Sequence, residues 1–392
     1  MEIIDGIPVF GVADPGALSQ IKTCAKTAYK AVLMPDNHKG YGVPIGGVVA
    51  YRNAVSPTGV GFDIACGNKA VRVDMPGPEL RANIKTIMDD IWKTISFGIG
   101  QKNNERVEWC GFDDAITNWR EPWLAPLKQL AQNQLGTIGA GNHYVDLFTD
   151  ESDRVWIGVH FGSRGFGYKT AKYFLEAAGA KDGMDVEPCV LSLGDQIGQD
   201  YIGAMYICGD YAYAGRNWVC DRVAKILGAS VVETVHNHHN FAWAEIHGGE
   251  SLVVVRKGAT PAWPGQRGFV GGTMAEGAVI LEGVESPLGA YSLYSTVHGA
   301  GRVMGRMEAK GKVDRKTGEV KRVGRVTNDM MRGWVERSGI ELRGGALDES
   351  PDCYKRLPEV LAAMAGAVKV IHNLTPVGVA MADGQTYDPF KD

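Results

Sequence analysis

The stretch VPIGGVVAYRNAVSPTGVGFDIACGNKAVRVD, residues 43–74, decides the fold class. Its two ends, 43–51 and 68–74, are rich in β-branched residues and read as short strands. Between them a glycine-bearing turn places Asp63 and Cys66 three residues apart, so one turn can aim both side chains at a common point.

The pattern extends outward in both directions. Residues 80–96 and 122–134 predict helices, and VWIGVHF (155–161) predicts a strand leading through His160 into the turn GSRGFG. A Tyr-, Ala- and Met-rich stretch over 197–227 predicts a long helix. Residues 230–236 (SVVETVH) and 252–256 predict strands, and EVLAAMAGAVKVIHNL after Pro358 predicts a helix over 359–374. Strands and helices mix without a βαβ rhythm, and no Pro- or Ser-rich linker cuts the chain. The expectation is α+β, a single domain over 1–392.

Bulk composition bounds the function. The chain has 392 residues, 45% hydrophobic and 22% charged, which is enough to bury a large core. No apolar run reaches the roughly 18 residues of a membrane span, and MEIIDGIPVFG lacks the layout of a signal peptide. Seven cysteines without a CxxC pair do not form a disulfide framework, so the expected location is cytoplasmic. A net charge of −4 decides nothing about nucleic acid, because only local charge meets phosphate. Neither a Walker A motif nor a GxGxxG leading from strand to helix is present.

Glycine is the outlier, at 52 residues. The glycines cluster beside polar residues in GVGFDIACG, GTIGAGNHY, HFGSRGFG, GGTMAEG and HGAGR. Such segments are tight turns or places where backbone amides approach an anion. His143 in GNHY, His160, and His239 in HNHHN join Asp63 and Cys66 as metal-ligand candidates. One carboxylate, one thiolate and three imidazoles suit a borderline divalent ion such as Mn²⁺, Zn²⁺, Co²⁺ or Fe²⁺. Each has a plainer reading. A lone histidine is commonly a satisfied polar residue, and a lone cysteine a buried small hydrophobe. HNHHN supplies one ligand rather than three, since strand alternation turns neighbours to opposite faces. Spacing alone does not bring the five together.

TVHGAGRVMGR (296–306) sets His298 before a small-residue turn, with Arg302 four positions on. That combination suits phosphate handling and a covalent nucleophile. From Arg302 to Arg325 there are nine Lys or Arg residues against three acids, which fits either RNA backbone contact or a solvated surface loop.

Taken in order, MPDNHKGYGVPIGG (34–47), SPTGVGFDIACG (56–67), GTIGAGNHYVDL (136–147), HFGSRGFG (160–167), HHNFAWAE (238–245), RKGATPA (256–262), STVHGAGRVMGR (295–306) and ESPDCYK (349–355) resemble the RtcB family of RNA-splicing ligases. The resemblance spans nearly the whole chain. It implies mixed β-sheets packed centrally with surrounding helices. It also implies joining of RNA 3′-phosphate or 2′,3′-cyclic phosphate ends to 5′-hydroxyl ends through a histidine–GMP intermediate. His298 is then the guanylylated nucleophile. Cys66 bridges two Mn²⁺ ions (Zn²⁺ or Co²⁺ as substitutes), with Asp63 and His143 on one and His160 and His239 on the other. Asn142 holds a phosphate and orients the attacking hydroxyl, and Arg164 and Arg302 steady phosphates. Ala300 and Gly301 offer backbone contacts to GTP, and Tyr354 lines its base pocket beside Asp146 and Thr273. The implied partners are RNA with broken ends and an activating protein of archease type, with neither membrane nor DNA. His38, His236, His238, His247 and His372 match no ligand position and are expected to be structural or to support the ligands from behind.

The chain departs from the family pattern where the base should sit. Asp146 replaces a glutamate, Thr273 and Ala278 replace two serines, Met381 stands at a lysine position, and Phe161 replaces a serine. Relaxed or altered nucleotide choice is the expectation. The competing functions are a metal-dependent phosphoesterase that opens cyclic phosphates without sealing, and a non-catalytic RNA-binding protein.

Overall fold

The computed structural model describes residues 1–181, 183–313 and 319–384. Among them, two large sheets form the centre. A six-stranded sheet runs in the order Glu2–Ile4, Ile7–Val9, Lys30–His38, Ile45–Tyr51, Glu250–Lys257, Asn240–His247. An eight-stranded sheet runs Val231–His238, Gly67–Pro76, Arg154–Phe161, Tyr144–Thr149, Val368–Met381, Ala278–Gly283, Arg267–Val270, with Glu341–Gly344 added parallel to Val368–Met381. The architecture is mixed α+β, as the sequence predicts.

The packing follows from which faces are apolar. The 32-residue helix Gln196–Leu227 buries Met205, Cys208, Tyr211, Val219 and Val223. It shares one apolar cluster with Ile64, Phe166 and Phe174, and a second with Val71, Ile157 and Val159 of the eight-stranded sheet. Gly228, in the left-handed region at φ +66°, ends it. Helix Gly77–Thr94 buries Leu80, Ile87, Met88 and Ile91 in that second cluster. A third cluster, with Val48, Val254, Val279 and Val297, fills the space between the sheets.

At one point the chain passes from one sheet to the other through a single residue. Val231–His238 belongs to one and Asn240–His247 to the other, so His239 is the link between them.

One expectation fails. Residues 359–374 are not one helix: the helix covers only Leu357–Ala362, and Val368–Met381 is a 14-residue strand. Gly366 at φ +88° breaks the helical run. The following Val368 and Val370 then pair with Gly283 and Leu281, and Thr375–Met381 goes on to pair with Tyr144–Thr149. Ladder pairing of β-branched residues overrides a helical-looking spacing.

Candidate active site

Register explains how distant histidines converge. Four adjacent strands of the eight-stranded sheet pair so that His238 lies opposite Gly67, Asn68 opposite His160, and His160 opposite Tyr144. His239, Cys66, His160 and His143 are therefore at one edge of the sheet, at or just beyond these strand ends. Cys66 N–H donates to Asp63 O at 3.0 Å and His239 N–H to Cys66 O at 2.8 Å, closing the Asp63–Cys66 turn onto the strand link. Ala65, inside that turn, has φ +61°.

The donor atoms come within bonding reach of a common centre. Cys66 Sγ is 3.3 Å from His160 Nε2 and 3.6 Å from His143 Nε2. His143 Nε2 is 3.1 Å from Asp63 Oδ2, and His160 Nε2 is 3.3 Å from His239 Nε2. The donors of Cys66, His143 and His160 all lie within 4.8 Å of one another. Second contacts orient the rings: His160 Nδ1 faces Asn142 O at 2.9 Å and His143 Nδ1 faces Ile138 O at 3.0 Å, which leaves both Nε2 lone pairs aimed inward. His239 Nδ1 is buried without a hydrogen-bond partner.

Burial pushes the Cys66 thiol up, reinforced by Asp63, while Arg216 and Arg164 pull the other way. Burial and neighbouring imidazoles hold His160 and His239 well below the usual histidine range, so both are neutral donors. Asp63 is raised by burial, but the His143 contact and the charge of Arg164 outweigh this and keep it ionised. The Cys66 thiol, the Asp63 carboxylate and the imidazoles pressed together at the cavity wall fit a divalent cation, which would compensate the thiolate and satisfy the lone pairs.

Two guanidinium groups, half-buried Arg164 and fully buried Arg216, brace this centre. Arg164 has φ +58°, and its Nη1 lies 3.2 Å from His143 Nδ1. Gly139, at φ +90°, lies against the Arg164 guanidinium, and any other residue would be strained there and would displace that side chain. Arg216 is fully buried and donates to Ala65 O at 3.0 Å and Phe161 O at 2.6 Å, holding the backbone beside Cys66 and His160. It also binds His236 Nε2 at 2.8 Å and His238 Nδ1 at 2.9 Å. Those two histidines thus contact Arg216 behind the centre.

His298 faces the same centre from the other side, its ring 4.9 Å from that of His239. Fully buried Asp36 fixes it: Oδ2 accepts from His298 N–H at 2.9 Å and from Nδ1 at 2.6 Å. With Nδ1 committed to Asp36, Nε2 is the ring nitrogen left to face the cavity. A Cβ on Gly301 (φ +78°) would collide with the Asp36 backbone carbonyl, so the HGAG turn packs directly on the strand carrying Asp36. Asp36 lies 262 residues away in the chain, inside MPDNHKG, where nothing in the spacing identifies it as a partner of His298.

A cavity of about 980 Å³ joins these groups. Its wall includes Asp63, Cys66, Asn142, His143, Asp146, His160, Arg164, His239, Thr273, His298, Ala300, Gly301, Arg302 and Tyr354, which is every site residue expected from the sequence. Arg302 donates to Tyr354 Oη at 2.9 Å and to Asp348 O at 2.8 Å, and its guanidinium lies 4.9 Å from the Tyr354 ring centre. Arg306 pairs with Asp348 at 3.3 Å and with Glu349, which also accepts from the Tyr354 hydroxyl. Asp348 and Glu349 escaped sequence reasoning although Glu349 opens ESPDCYK. The basic run splits accordingly: Arg302 and Arg306 face the cavity, Lys312, Lys321 and Arg322 are exposed, and Arg315 and Lys316 lie outside the described residues.

Of the departures, Asp146, Thr273 and Met381 line the cavity, whereas Ala278 packs in the core with Phe148, Trp156 and Ile280, and Phe161 packs with Val159 and Val219. Burial pushes the Asp146 carboxyl well above its usual range, and its Oδ1 has no partner. Thr273 Oγ1 donates to Glu276 Oε2 at 3.0 Å.

The sequence model described as "tRNA-splicing ligase RtcB" matches residues 17–382. The chain belongs to the RtcB family. It is 30% identical to the RNA-splicing ligase RtcB of Escherichia coli K12, over 95% of this chain and 94% of that protein. It is 29% identical to the tRNA-splicing ligase RtcB of Thermococcus kodakarensis, over 89% and 87%. A homologue in Entamoeba dispar, RNA-splicing ligase RtcB homolog 1, is 28% identical over 88% and 78%. As an RtcB member the chain is an RNA ligase, and its His/Cys cluster fits a metal-dependent enzyme. Among the described residues no helix is long and apolar enough to cross a membrane.

Proposed function

We propose that the cavity joins an RNA 3′-phosphate end to a 5′-hydroxyl end through a nucleotide carried on His298. The observation that carries this reading is the Asp36–His298 pair, set 4.9 Å ring to ring from His239 at the edge of the five-donor cluster. His298 Nε2 attacks the α-phosphorus of GTP and pyrophosphate leaves, forming an Nε2–P bond. An RNA 3′-phosphate oxygen then attacks that phosphorus and frees the imidazole. Finally the 5′-hydroxyl attacks the RNA phosphorus and GMP departs. Asp36 stabilises the imidazolium character that develops on His298, and Arg164 and Arg302 supply positive charge to the cavity. Two Mn²⁺ ions held by Asp63, Cys66, His143, His160 and His239 would supply charge neutralisation to the attacking and leaving oxygens. Asn142, on the wall beside His143, orients the incoming end.

Nucleotide choice is relaxed relative to the family. Met381 offers no hydrogen bond, and the short Asp146 presents a neutral carboxyl with an unpartnered oxygen. Each base-edge hydrogen bond lost costs about 1–3 kcal/mol, roughly 5- to 150-fold in selectivity. The chain acts as one catalytic unit in the cytoplasm on broken structured RNA, with an archease-type activator. Incubation with Mn²⁺ and each labelled nucleoside triphosphate tests the reading. Acid-labile label on His298, lost in His298→Ala, is expected from GTP and from at least one other triphosphate. An unlabelled protein overturns the ligase mechanism, and label from GTP alone overturns the relaxed choice.

A further inference from the structure

The cavity has a second end that the steps above do not use. The rings His298, His239, His160 and His143 follow one another at centroid spacings of 4.9, 5.1 and 5.2 Å, and His143 Nε2 reaches Asp63 Oδ2 at 3.1 Å. Beyond Asp63 the cavity wall turns aromatic. Phe62, the next residue back in the chain, lies 5.3 Å from Tyr168 at 32° and 6.2 Å from Tyr41 edge-on, and all three rings are half-buried. Tyr168 stands four residues after Arg164 on helix Arg164–Ala177, so both project from one helix face, and exposed Lys169 follows on the rim. Lys257 Nζ donates to Tyr41 O at 2.7 Å and to Thr58 O at 3.0 Å, fixing the loop that carries Tyr41.

Displacement at phosphorus needs the nucleophile and the leaving group roughly in line on opposite sides. In the last step the leaving group is the nucleotide, which departs towards the His298 and Tyr354 end. The attacking 5′-hydroxyl must then enter from the Asp63 end. We infer that Phe62, Tyr168 and Tyr41 form a stacking shelf for the first bases of the 5′-hydroxyl RNA strand, with Lys169 contacting its backbone phosphate. Apolar ring faces with a rim cation bind bases of any sequence, as a ligase acting on varied broken ends requires.

This inference rests on the proposed ligase reading, and the test separates the two. Tyr168→Ala is chosen because it leaves the Asp63–Cys66 turn intact. Protein labelling by GTP and activation of a 3′-phosphate RNA proceed at wild-type rates in the variant. The KM for a 5′-hydroxyl oligonucleotide rises about tenfold, the range of one lost base stack, with kcat little changed. Tyr168→Phe and Tyr168→Trp restore it. In parallel, anisotropy of a fluorescent 5′-hydroxyl oligonucleotide reads binding without any joining, and Tyr168→Ala and Lys169→Ala each weaken it. An unchanged KM and unchanged binding, or an equal loss in 3′-end activation, overturns the shelf. If wild-type protein never labels but the anisotropy shift holds, the ligase mechanism fails and the shelf stands.

Discussion

At the scale of single residues, the chemistry depends on which atom of each side chain is already committed. Asp36 occupies His298 Nδ1, so Asp36→Asn, which presents either an oxygen or an amide to that nitrogen, loses the fixed tautomer. Label transfer to His298 is expected to fall on the order of 10²-fold or more, as in other His–carboxylate pairs, while the thermal midpoint stays near that of the wild type. A midpoint that collapses with activity would make Asp36 a stability residue instead. Asp146 offers a pH signature. Its carboxyl titrates near 3.8 when unfolded but keeps its proton to higher pH when buried. The folded state is therefore penalised progressively as pH rises above 3.8 towards the folded value. Asp146→Asn removes that penalty, so in urea unfolding with chelator the variant gains stability over the wild type as pH rises above 3.8 towards the folded value. Parallel pH profiles would show that the carboxyl is ionised in the fold.

Elements matter here through the ends of strands. Cys66, His143, His160 and His239 meet because neighbouring strands end in register, and Arg216, from the middle of helix Gln196–Leu227, clamps the carbonyls of Ala65 and Phe161 at that edge. Arg216→Met leaves both carbonyls and two histidine nitrogens without their donor. The expected cost is about 1–3 kcal/mol for each buried group left unsatisfied. Divalent-metal affinity should also drop about 10- to 100-fold, the usual effect of losing support behind metal ligands. Calorimetric metal titration of the variant reads this directly, and a wild-type affinity would confine Arg216 to a packing role. The strand Val368–Met381 teaches the complementary lesson: its first half pairs with Ala278–Gly283 and its second half with Tyr144–Thr149, which carries Met381 to the cavity wall.

For the molecule as a whole, the two sheets are joined at His239, so a cation bound there ties them together. Saturating Mn²⁺ at about 100 times its Kd should stabilise the fold by about 2.7 kcal/mol, several degrees in thermal midpoint for a chain of this size. EDTA should reverse the shift and Cys66→Ser should blunt it; identical melting with metal and chelator would mean that the cluster is not a metal site. By itself the sequence determined the α+β class, the long helix over 197–227, the segments that carry the five donors, and His298. It could do so because β-branched runs, helical periodicity and glycine turns are local, and because motif residues keep their order along the chain. Only the tertiary structure decided that Asp36 belongs to His298, that Arg216 stands behind Cys66, that Asp348 and Glu349 anchor Arg302 and Arg306, and that Ala278 lies in the core. Each of those is a contact between residues far apart in the chain, or a choice of face, set by strand register and burial, and no local pattern of residues encodes either.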